Sequence, residues 1–318
     1  MADESKPAGA VMQYDQSGFA SALDGTRLFW GLAGPRASDA EPNGPVMVLN
    51  DGIGCDGFAW KYLQPHLAER HRVLHWHYRG HGRSGLPNDP ARIDVPAHAR
   101  DLISLLDRHQ IDRAVLAGHS MGTQVALEAY RLAPDRVEGL VLVCGSYGRV
   151  TATFHGSDML KQVLPGIIEV VERNKGLARA LWGRIPAKMA FQLAKLSGEV
   201  DVQALREEDF VWYVEHVSTL EPAMFLSMLK LAGEHTAEDL LATIDVPTLV
   251  VAAEKDTFTP PELAKHMAEA IPEAELLFLE GASHAAPVER QDVIAERIDR
   301  FLAERVDREP DEAQQSAE

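Results

Sequence analysis

Short apolar, β-rich runs alternate with helical patterns along this 318-residue chain, and the alternation constrains the fold more than any other feature of the sequence. Leu102, Leu105 and Leu106 have helical spacing and predict a helix over 96–109, and a second helix is predicted over 124–133. Strands are predicted at 26–34, 45–50, 71–78, 114–118 and 139–145. Strands and helices in succession indicate an α/β fold with a mostly parallel central sheet and helices on both faces.

A long helical segment interrupts this alternation between two parts of the predicted sheet. Strand patterns return only at 246–254 and 274–281, and each is followed by a helical pattern. A separate helical domain would be joined by flexible linkers, and no Gly/Ser/Pro-rich linker flanks this segment. We therefore predict a helical lid that packs over the carboxyl edge of the sheet. The predicted organisation is a core of 19–145 and 244–303, a lid of 146–243, a disordered or extended N-terminus of 1–18 and an acidic, disordered tail of 304–318.

The segment Gly118-His119-Ser120-Met121-Gly122 matches the pattern G-x-S-x-G and lies between a predicted strand and a predicted helix. In that context the glycines permit a tight turn, which lifts the serine hydroxyl out at the end of the sheet. The helix N-terminus behind the serine favours a developing oxyanion. The alternative is that Ser120 only caps the helix, so that the identification of a nucleophile depends on finding its partners.

Asp256 and His284 are the candidate partners of Ser120. A serine hydroxyl is a weak nucleophile near neutral pH and needs a base, which in turn needs a group to orient it. Both residues follow predicted parallel strands, so they are expected at the sheet edge where Ser120 emerges. Glu254 is the competing acid. Each partner also has a plainer interpretation, Asp256 as a turn or N-cap residue and His284 as a loop histidine under the last helix.

The chain order Ser120, Asp256, His284, together with further segments, resembles the α/β-hydrolase superfamily over about residues 19–303. The further segments are R-G-H-G-x-S at 79–84, Glu254-Lys255-Asp256 ahead of Pro260, and Gly281-Ala282-Ser283-His284. The chain is similar to the branch of lidded serine esterases, lipases and carbon–carbon hydrolases. Serine as the nucleophile disfavours the haloalkane dehalogenases and epoxide hydrolases. The resemblance implies a catalytic triad that needs neither a metal ion nor an organic cofactor.

The resemblance also implies an oxyanion hole made of two backbone N–H groups. One belongs to the residue after the nucleophile, which is Met121 here. In the family the other follows a His-Gly pair after the third strand, and this chain has Asp51-Gly52-Ile53 at that point. Since the donor is a main-chain group, Ile53 is the expected second donor even though the histidine is missing. The role of Asp51 and the shape of the loop stay open.

The helical segment contains more apolar side chains than its helices can bury among themselves, which indicates an apolar pocket above the serine. The candidate pocket residues are Trp182, Trp212, Phe225 and Met228, and the plainer alternative for each of them is packing of the segment against the core. Arginines and lysines are scattered through the segment and form no cluster that would suit a phosphate or a carboxylate. Uncharged, moderately lipophilic esters are therefore the expected substrates.

Charge and cysteine content exclude several other classes of function. The chain has 31 basic and 48 acidic residues, a net charge of −17, which disfavours nucleic acid as a partner because binding requires neutralisation of phosphates. Cys55 and Cys144 are its only cysteines, which is typical of a reducing, cytoplasmic compartment and excludes a thiolate metal site. His75, His77 and His81 could suggest a metal centre but fit better as strand and loop residues. Neither a bilayer-spanning run nor a secretion signal is found, so no membrane insertion is expected.

The sequence thus predicts a serine carboxylic-ester hydrolase that acts on a small molecule through an acyl-enzyme, as a monomer or homodimer. Thioesterase, lactonase, carbon–carbon hydrolase and acyltransferase activities share the same triad and stay open, because function depends on the pocket. A ligand-binding receptor and a cofactor-free oxygenase also occur on this fold. The complete set of Ser120, Asp256 and His284 disfavours a receptor.

Overall fold

A computed structural model of the chain describes residues 12–35, 44–153, 157–184, 186–197 and 204–307. Its strands are β1 (Gln16–Ser21), β2 (Arg27–Ala33), β3 (Met47–Asn50), β4 (Val73–Trp76), β5 (Ala114–His119), β6 (Val137–Val143), β7 (Thr248–Ala253) and β8 (Glu275–Leu279). They form one sheet in the order β1-β2-β4-β3-β5-β6-β7-β8. The pairs β1–β2 and β2–β4 are antiparallel, and all other pairs are parallel. The predicted mostly parallel sheet is confirmed.

Helices cover both faces of the sheet and fill the long connection between β6 and β7. They are α1 (Leu63–Leu67), α2 (Val95–Arg108), α3 (Met121–Leu132), α4 (Val150–Thr153), α5 (Met159–Arg173), α6 (Lys175–Leu181), α7 (Ala187–Ser197), α8 (Glu207–Thr219), α9 (Pro222–Glu234), α10 (Pro261–Ala270), α11 (Ala286–Glu289) and α12 (Gln291–Phe301). Within the described residues, none of these helices has the length and apolar character needed to cross a membrane.

Successive strand residues point to opposite faces of the sheet, and both faces are buried. Val48 and Leu116 belong to an apolar cluster that includes residues of α2 and α3. Their neighbours Leu49 and Ala117 belong to a second cluster that includes residues of α1 and α12. Because each face is covered, these strands are apolar throughout instead of alternating with polar residues.

Hydrogen bonds join the two ends of the helical insertion between β6 and β7 where the chain leaves and rejoins the sheet. Gly148 and Thr236 form an isolated antiparallel bridge. The Ala237 N–H donates a 2.7 Å hydrogen bond to the Tyr147 carbonyl. The chain therefore enters and leaves the insertion at one place, without a long linker on either side.

The ends of the described chain differ from the predicted boundaries. Strand β1 begins inside the segment 1–18, because pairing with β2 orders residues whose own sequence has little strand character. At the other end, a helical turn at Leu302–Val306 extends into the predicted tail, since Leu302 is buried and Arg305 Nη1 donates a 2.7 Å hydrogen bond to Glu275. The rest of both predicted ends, 1–11 and 308–318, lies outside the described residues.

The register of the parallel strands brings their carboxyl ends to one edge of the sheet. Asn50 at the end of β3 lies opposite Gly118 of β5. His119 at the end of β5 lies opposite Val143, the last residue of β6. The last residues of β7 and β8 are likewise paired. The loops that follow these strands therefore meet above a single edge.

Candidate active site

Ser120 occupies a strained turn between β5 and α3. Its φ is 56°, in the left-handed region that non-glycine residues seldom adopt. A Cβ atom at Gly118 would lie 2.2 Å from the Gly122 carbonyl oxygen, and one at Gly122 would lie 2.2 Å from the Asn50 carbonyl oxygen. Only glycine fits at both positions, and the resulting turn places Ser120 directly before the first turn of α3.

The His284 imidazole lies between Ser120 and Asp256. Its Nε2 atom is 3.0 Å from Ser120 Oγ, and its Nδ1 atom is 2.8 Å from Asp256 Oδ2. A carboxylate at Nδ1 favours the tautomer in which Nδ1 carries the proton, so that Nε2 accepts the hydrogen bond from the serine hydroxyl. The structure thus brings the three predicted triad residues together.

Asp256 is held by several donors besides His284. Its Oδ1 atom accepts the backbone N–H groups of Phe258 at 3.0 Å and Thr259 at 2.8 Å. The Thr259 hydroxyl lies 2.8 Å from Oδ2. The competing acid, Glu254, instead accepts the backbone N–H of Gly281 at 2.8 Å. Sequence reasoning missed Thr259, although its position three residues after an aspartate is typical of a local side-chain turn.

Two further groups hold the loop that presents His284. His119 Nε2–H donates to the His284 carbonyl oxygen at 3.0 Å, and burial lowers the pKa of His119 to about 3, so that its ring is neutral. The Glu289 carboxylate accepts the Ser283 N–H at 2.8 Å and the Ser283 hydroxyl at 2.6 Å. The ring of Phe258 stacks on the His284 ring with centroids 5.0 Å apart. The base is thereby restrained through both its backbone and its ring.

Asp51 anchors the loop at 51–57, which we call the oxyanion loop. Its side chain is fully buried, and its Oδ2 atom accepts the Gly57 N–H at 2.9 Å and lies 2.9 Å from His75 Nε2. Its carbonyl oxygen accepts the Tyr78 hydroxyl at 2.7 Å. These contacts join both ends of the loop to β4 and to the segment after it. They explain how the chain shapes this loop where the family has a histidine.

The R-G-H-G-x-S segment supports the same loop from the other side. The Gly54 N–H donates to His81 Nε2 at 3.1 Å, and His81 Nδ1–H donates to the Arg79 carbonyl oxygen at 3.0 Å. Burial lowers the pKa of His81, which favours the neutral ring that these two contacts require. His75 and His77 also have protein partners. Among the described residues, no group of three or more His, Cys, Asp or Glu side chains is placed to hold a metal ion.

The two predicted oxyanion donors belong to segments that meet at Ser120. A Cβ atom at Gly52 would lie 3.1 Å from Ser120 Cβ, so the oxyanion loop abuts the serine. The backbone N–H of Ile53, next in this loop, donates no hydrogen bond within the described residues. Met121 begins α3, and the N–H groups of a first helical turn have no acceptor within the helix.

The sequence profile of the alpha/beta hydrolase family matches residues 46–297, most of the chain. The chain belongs to this family. The resemblance seen in the sequence and the predicted α/β-hydrolase fold are both confirmed, and the chain is therefore a member of a family of hydrolases.

Similar proteins differ in the reactions that their names describe. RutD of Azorhizobium caulinodans, named as a candidate carbamate hydrolase, is 27% identical over 264 residues, which cover 82% of this chain and 92% of RutD. A thermophilic esterase from Thermogutta terrifontis superposes with a TM-score of 0.72 and 24% identity over 91% of this chain and 98% of the esterase. The enol-lactonase of Burkholderia xenovorans LB400 gives a TM-score of 0.70 and 24% identity, over 90% and 100%. Likeness at these identities to the two solved structures shows the shared fold.

The four predicted pocket residues of this α/β hydrolase lie in different places. Phe225 packs on the oxyanion loop, and the Trp182 ring lies 5.7 Å from the Phe225 ring beside a cavity of about 410 Å³. Trp212 instead places its ring 5.0 Å from Lys61 Nζ. Met228 is only 1% exposed and belongs to the core cluster that covers the sheet. Helical spacing alone could not separate residues that face the site from those that face the sheet.

An apolar cluster that sequence reasoning did not identify joins three segments of this α/β hydrolase. It combines the oxyanion loop and the residues that follow it with the loop after His284 and with the insertion. Its buried members are Cys55, Phe58, Phe191, Leu205 and Val288, and Tyr62, Phe210, Tyr213 and Ala285 pack against them. Because Ala285 directly follows His284, the cluster forms a wall beside the candidate site.

Proposed function

We propose that this chain is a serine hydrolase that cleaves uncharged, moderately lipophilic carboxylic esters through an acyl-enzyme. One observation carries the proposal, namely the His284 imidazole that lies 3.0 Å from Ser120 Oγ and 2.8 Å from Asp256 Oδ2. This is the arrangement that activates a serine hydroxyl as a nucleophile. Membership in a family of hydrolases supports the same assignment.

In the proposed reaction, Ser120 Oγ attacks the ester carbonyl carbon while His284 Nε2 takes the hydroxyl proton. Asp256 holds the imidazole and stabilises the imidazolium, and the N–H groups of Ile53 and Met121 bind the oxyanion. The carbon–oxygen bond to the alcohol then breaks, and His284 returns the proton to the leaving oxygen. Water, deprotonated by His284, attacks the acyl-enzyme, and the carboxylic acid is released as Ser120 recovers its proton.

The surroundings of the site support an apolar substrate. The wall beside His284 is formed by the cluster that contains Cys55, Phe58 and Val288. Burial raises the pKa of the Cys55 thiol well above its ordinary value, so this residue is a neutral apolar group beside the loop. A wall of this kind suits an alkyl or aryl group of an ester.

Lactone hydrolysis is the second candidate function, since a lactone is an internal ester. The structural likeness to an enol-lactonase over 90% of this chain is the reason to test lactones as substrates. In a lactone the alcohol stays attached to the acyl group, so that the same steps yield one product, a hydroxy acid. Esters and lactones therefore have to be compared as substrates of the same preparation, with carbamates added because of the likeness to RutD.

The decisive experiment compares wild type with Ser120→Ala on p-nitrophenyl esters of increasing acyl length. Wild type is expected to turn over the short and medium esters, and the variant is expected to lose activity by about a million-fold, to the background rate. Ser104→Ala is the control and should match wild type, because the Ser104 hydroxyl donates to the Arg100 carbonyl within α2. A fluorophosphonate label, mapped by mass spectrometry, should modify Ser120. Equal rates for wild type and Ser120→Ala, or a label on another residue, would refute the assignment.

A further inference from the structure

Strand β8 is one edge of the sheet, and one of its faces exposes two large apolar side chains. It pairs with β7, and among the described residues no strand lies on its other side. Leu276 is 41% exposed and Phe278 is 36% exposed. With Lys265 and Glu269 of α10 they line an open groove of about 470 Å³. An uncovered apolar edge strand is a template for pairing with another chain.

The opposite edge strand, β1, differs from β8 in composition. Its residues are Gln-Ser-Gly-Phe-Ala-Ser, and the ring of its one large apolar residue, Phe19, lies 4.2 Å from the Arg27 guanidinium. The residues of β8 are Glu-Leu-Leu-Phe-Leu, with neither a lysine nor a proline to block pairing. Its one charged residue, Glu275, is paired with Arg305. An apolar edge is therefore a property of β8 and not of both ends of this sheet.

The same two residues of β8 also direct their backbone groups to the open edge. The Leu279 carbonyl oxygen accepts the Glu254 N–H at 2.9 Å, so Leu279 bonds toward β7. Alternate residues of a strand direct their N–H and C=O groups to opposite sides, so Leu277 also bonds toward β7. Leu276 and Phe278, between and beside them, therefore present the donors and acceptors that a further strand would use.

We propose that β8 pairs antiparallel with β8 of a second copy of this chain, about a twofold axis at Leu277. In that register Leu276 lies opposite the partner's Phe278, and Phe278 lies opposite the partner's Leu276. Each of these pairs exchanges both backbone hydrogen bonds and brings two apolar side chains together. The contact uses the same surface on both copies, so it closes at a dimer. It goes beyond the proposed function, because it uses an edge of the sheet away from the strand ends that carry the candidate site.

The charges on α10 favour a second copy over an unrelated strand. Lys265 Nζ lies 4.8 Å from the centroid of the Phe278 ring. Glu269 follows Lys265 by about one helical turn and lines the same groove. Since the twofold axis places the partner's Phe278 beside Leu276, it also brings the partner's Lys265 toward Glu269. The axis forms this ion pair twice, whereas an unrelated strand has no lysine fixed at that point.

Sedimentation velocity over a concentration series tests the proposal, with wild type expected to dimerise. Lys265→Glu should raise the dimer dissociation constant about 100-fold, because the axis then opposes two pairs of carboxylates. Adding Glu269→Lys to the same chain should bring the constant back to within about tenfold of wild type. Ser120→Ala should dimerise like wild type, so the result is independent of the proposed function. A monomeric wild type, or a double variant as weak as Lys265→Glu, overturns the proposal.

A matched pair of lysine variants tests the location of the contact. Leu276→Lys should weaken dimerisation about tenfold or more, since it places a charge in the apolar pair. Phe19→Lys makes the same change on β1, at a residue that is 43% exposed, and should dimerise like wild type. Thermal unfolding of both variants reports whether they are folded. Weaker dimerisation of Phe19→Lys with no effect of Leu276→Lys would assign the contact to β1 and overturn the role of β8.

Cysteine variants test the register without depending on affinity. At Leu277 the paired Cα atoms of the two copies would lie about 4.5 Å apart, within the range that a disulfide spans. Leu277→Cys should therefore give a cross-linked dimer under mild oxidation, whereas Leu276→Cys, which faces the partner's Phe278, should not. The native Cys55 and Cys144 are buried, and wild type is the control for them. A cross-link from Leu276→Cys, or none from Leu277→Cys, overturns the proposed register.

Discussion

Asp256 accepts hydrogen bonds from two backbone N–H groups, from the Thr259 hydroxyl and from His284. Its side chain is 1% exposed, so a carboxylate here depends on these donors for stabilisation. The same donors orient Oδ2 toward His284 Nδ1. At the scale of single residues, the candidate base is therefore positioned by an acid that is itself held rigidly.

Replacement of Asp256 by asparagine tests this arrangement. The amide keeps the size of the side chain but favours the wrong imidazole tautomer, so kcat on a p-nitrophenyl ester should fall by about 10⁴-fold. Glu254→Gln is the control, because the amide oxygen can still accept the Gly281 N–H, and its kcat should change little. A large loss in Glu254→Gln together with an active Asp256→Asn would reassign the acid of the triad.

At the scale of elements, α8 is attached to the core by buried polar contacts. Lys61, just before α1, pairs with Asp209 of α8, and the two side chains are 3% and 2% exposed. The Tyr62 hydroxyl donates to the same carboxylate at 3.0 Å. About two turns further along α8, His216 Nδ1 lies 3.6 Å from Asp56 Oδ2 of the oxyanion loop. This helix is thus part of the wall of the site.

Asp209→Ala should lower the free energy of unfolding by about 3–5 kcal/mol, because it leaves the Lys61 ammonium buried without its counterion. The double variant Lys61→Met, Asp209→Leu should recover most of that loss, since it removes both charges and fills the space. Urea denaturation measures both. Glu234→Ala breaks the exposed pair with Lys230 and should cost less than about 1 kcal/mol. Equal stability of Asp209→Ala and Glu234→Ala would contradict the argument.

At the scale of the whole molecule, burial holds several histidines in their neutral form. Burial lowers the pKa of His98 to about 3, of His119 to about 3 and of His216 to about 4, against an ordinary value of 6.5. Both ring nitrogens of His98 are buried without a hydrogen-bond partner in the described structure. Below pH 6.5 the unfolded chain binds protons at these positions and the folded chain does not. Their contribution to stability is therefore lost as the pH falls from 6.5 toward 4.

The free energy of unfolding should fall steeply over that interval, by up to about 1.4 kcal/mol per pH unit for each of the three histidines. Urea denaturation at a series of pH values between 7.5 and 4.5 measures the slope. His98→Phe keeps an aromatic ring beside Tyr78 and removes one titrating group, so its slope should be lower by about one proton. Identical slopes for wild type and His98→Phe would show that this histidine does not contribute.

The sequence by itself determined the order of the elements and the three residues proposed as a triad. Hydrophobic periodicity is a local property, so strands β2 to β5 and helices α2 and α3 could be predicted, whereas the short helix α1 between β3 and β4 was missed. The turn at Ser120 is local at Gly118, which the Gly122 backbone four residues away requires to be glycine. Gly122 is required by the Asn50 carbonyl at the end of β3, which is a tertiary contact. Asp256 and His284 could be found because each follows a strand whose carboxyl end must share one edge.

Only the tertiary structure decided which other residues reach that edge. Strand β1 forms because it pairs with β2, and Asp51 anchors a loop through His75 and Tyr78, which are distant in sequence. Tyr213 and Phe225 reach the oxyanion loop, whereas Met228 on the same helix as Phe225 is buried over the sheet. The positions of α8 and α9 over the oxyanion loop depend on long-range contacts, such as the buried pair between Lys61 and Asp209 of α8. These contacts join residues that are far apart in the sequence, so no local pattern predicts them.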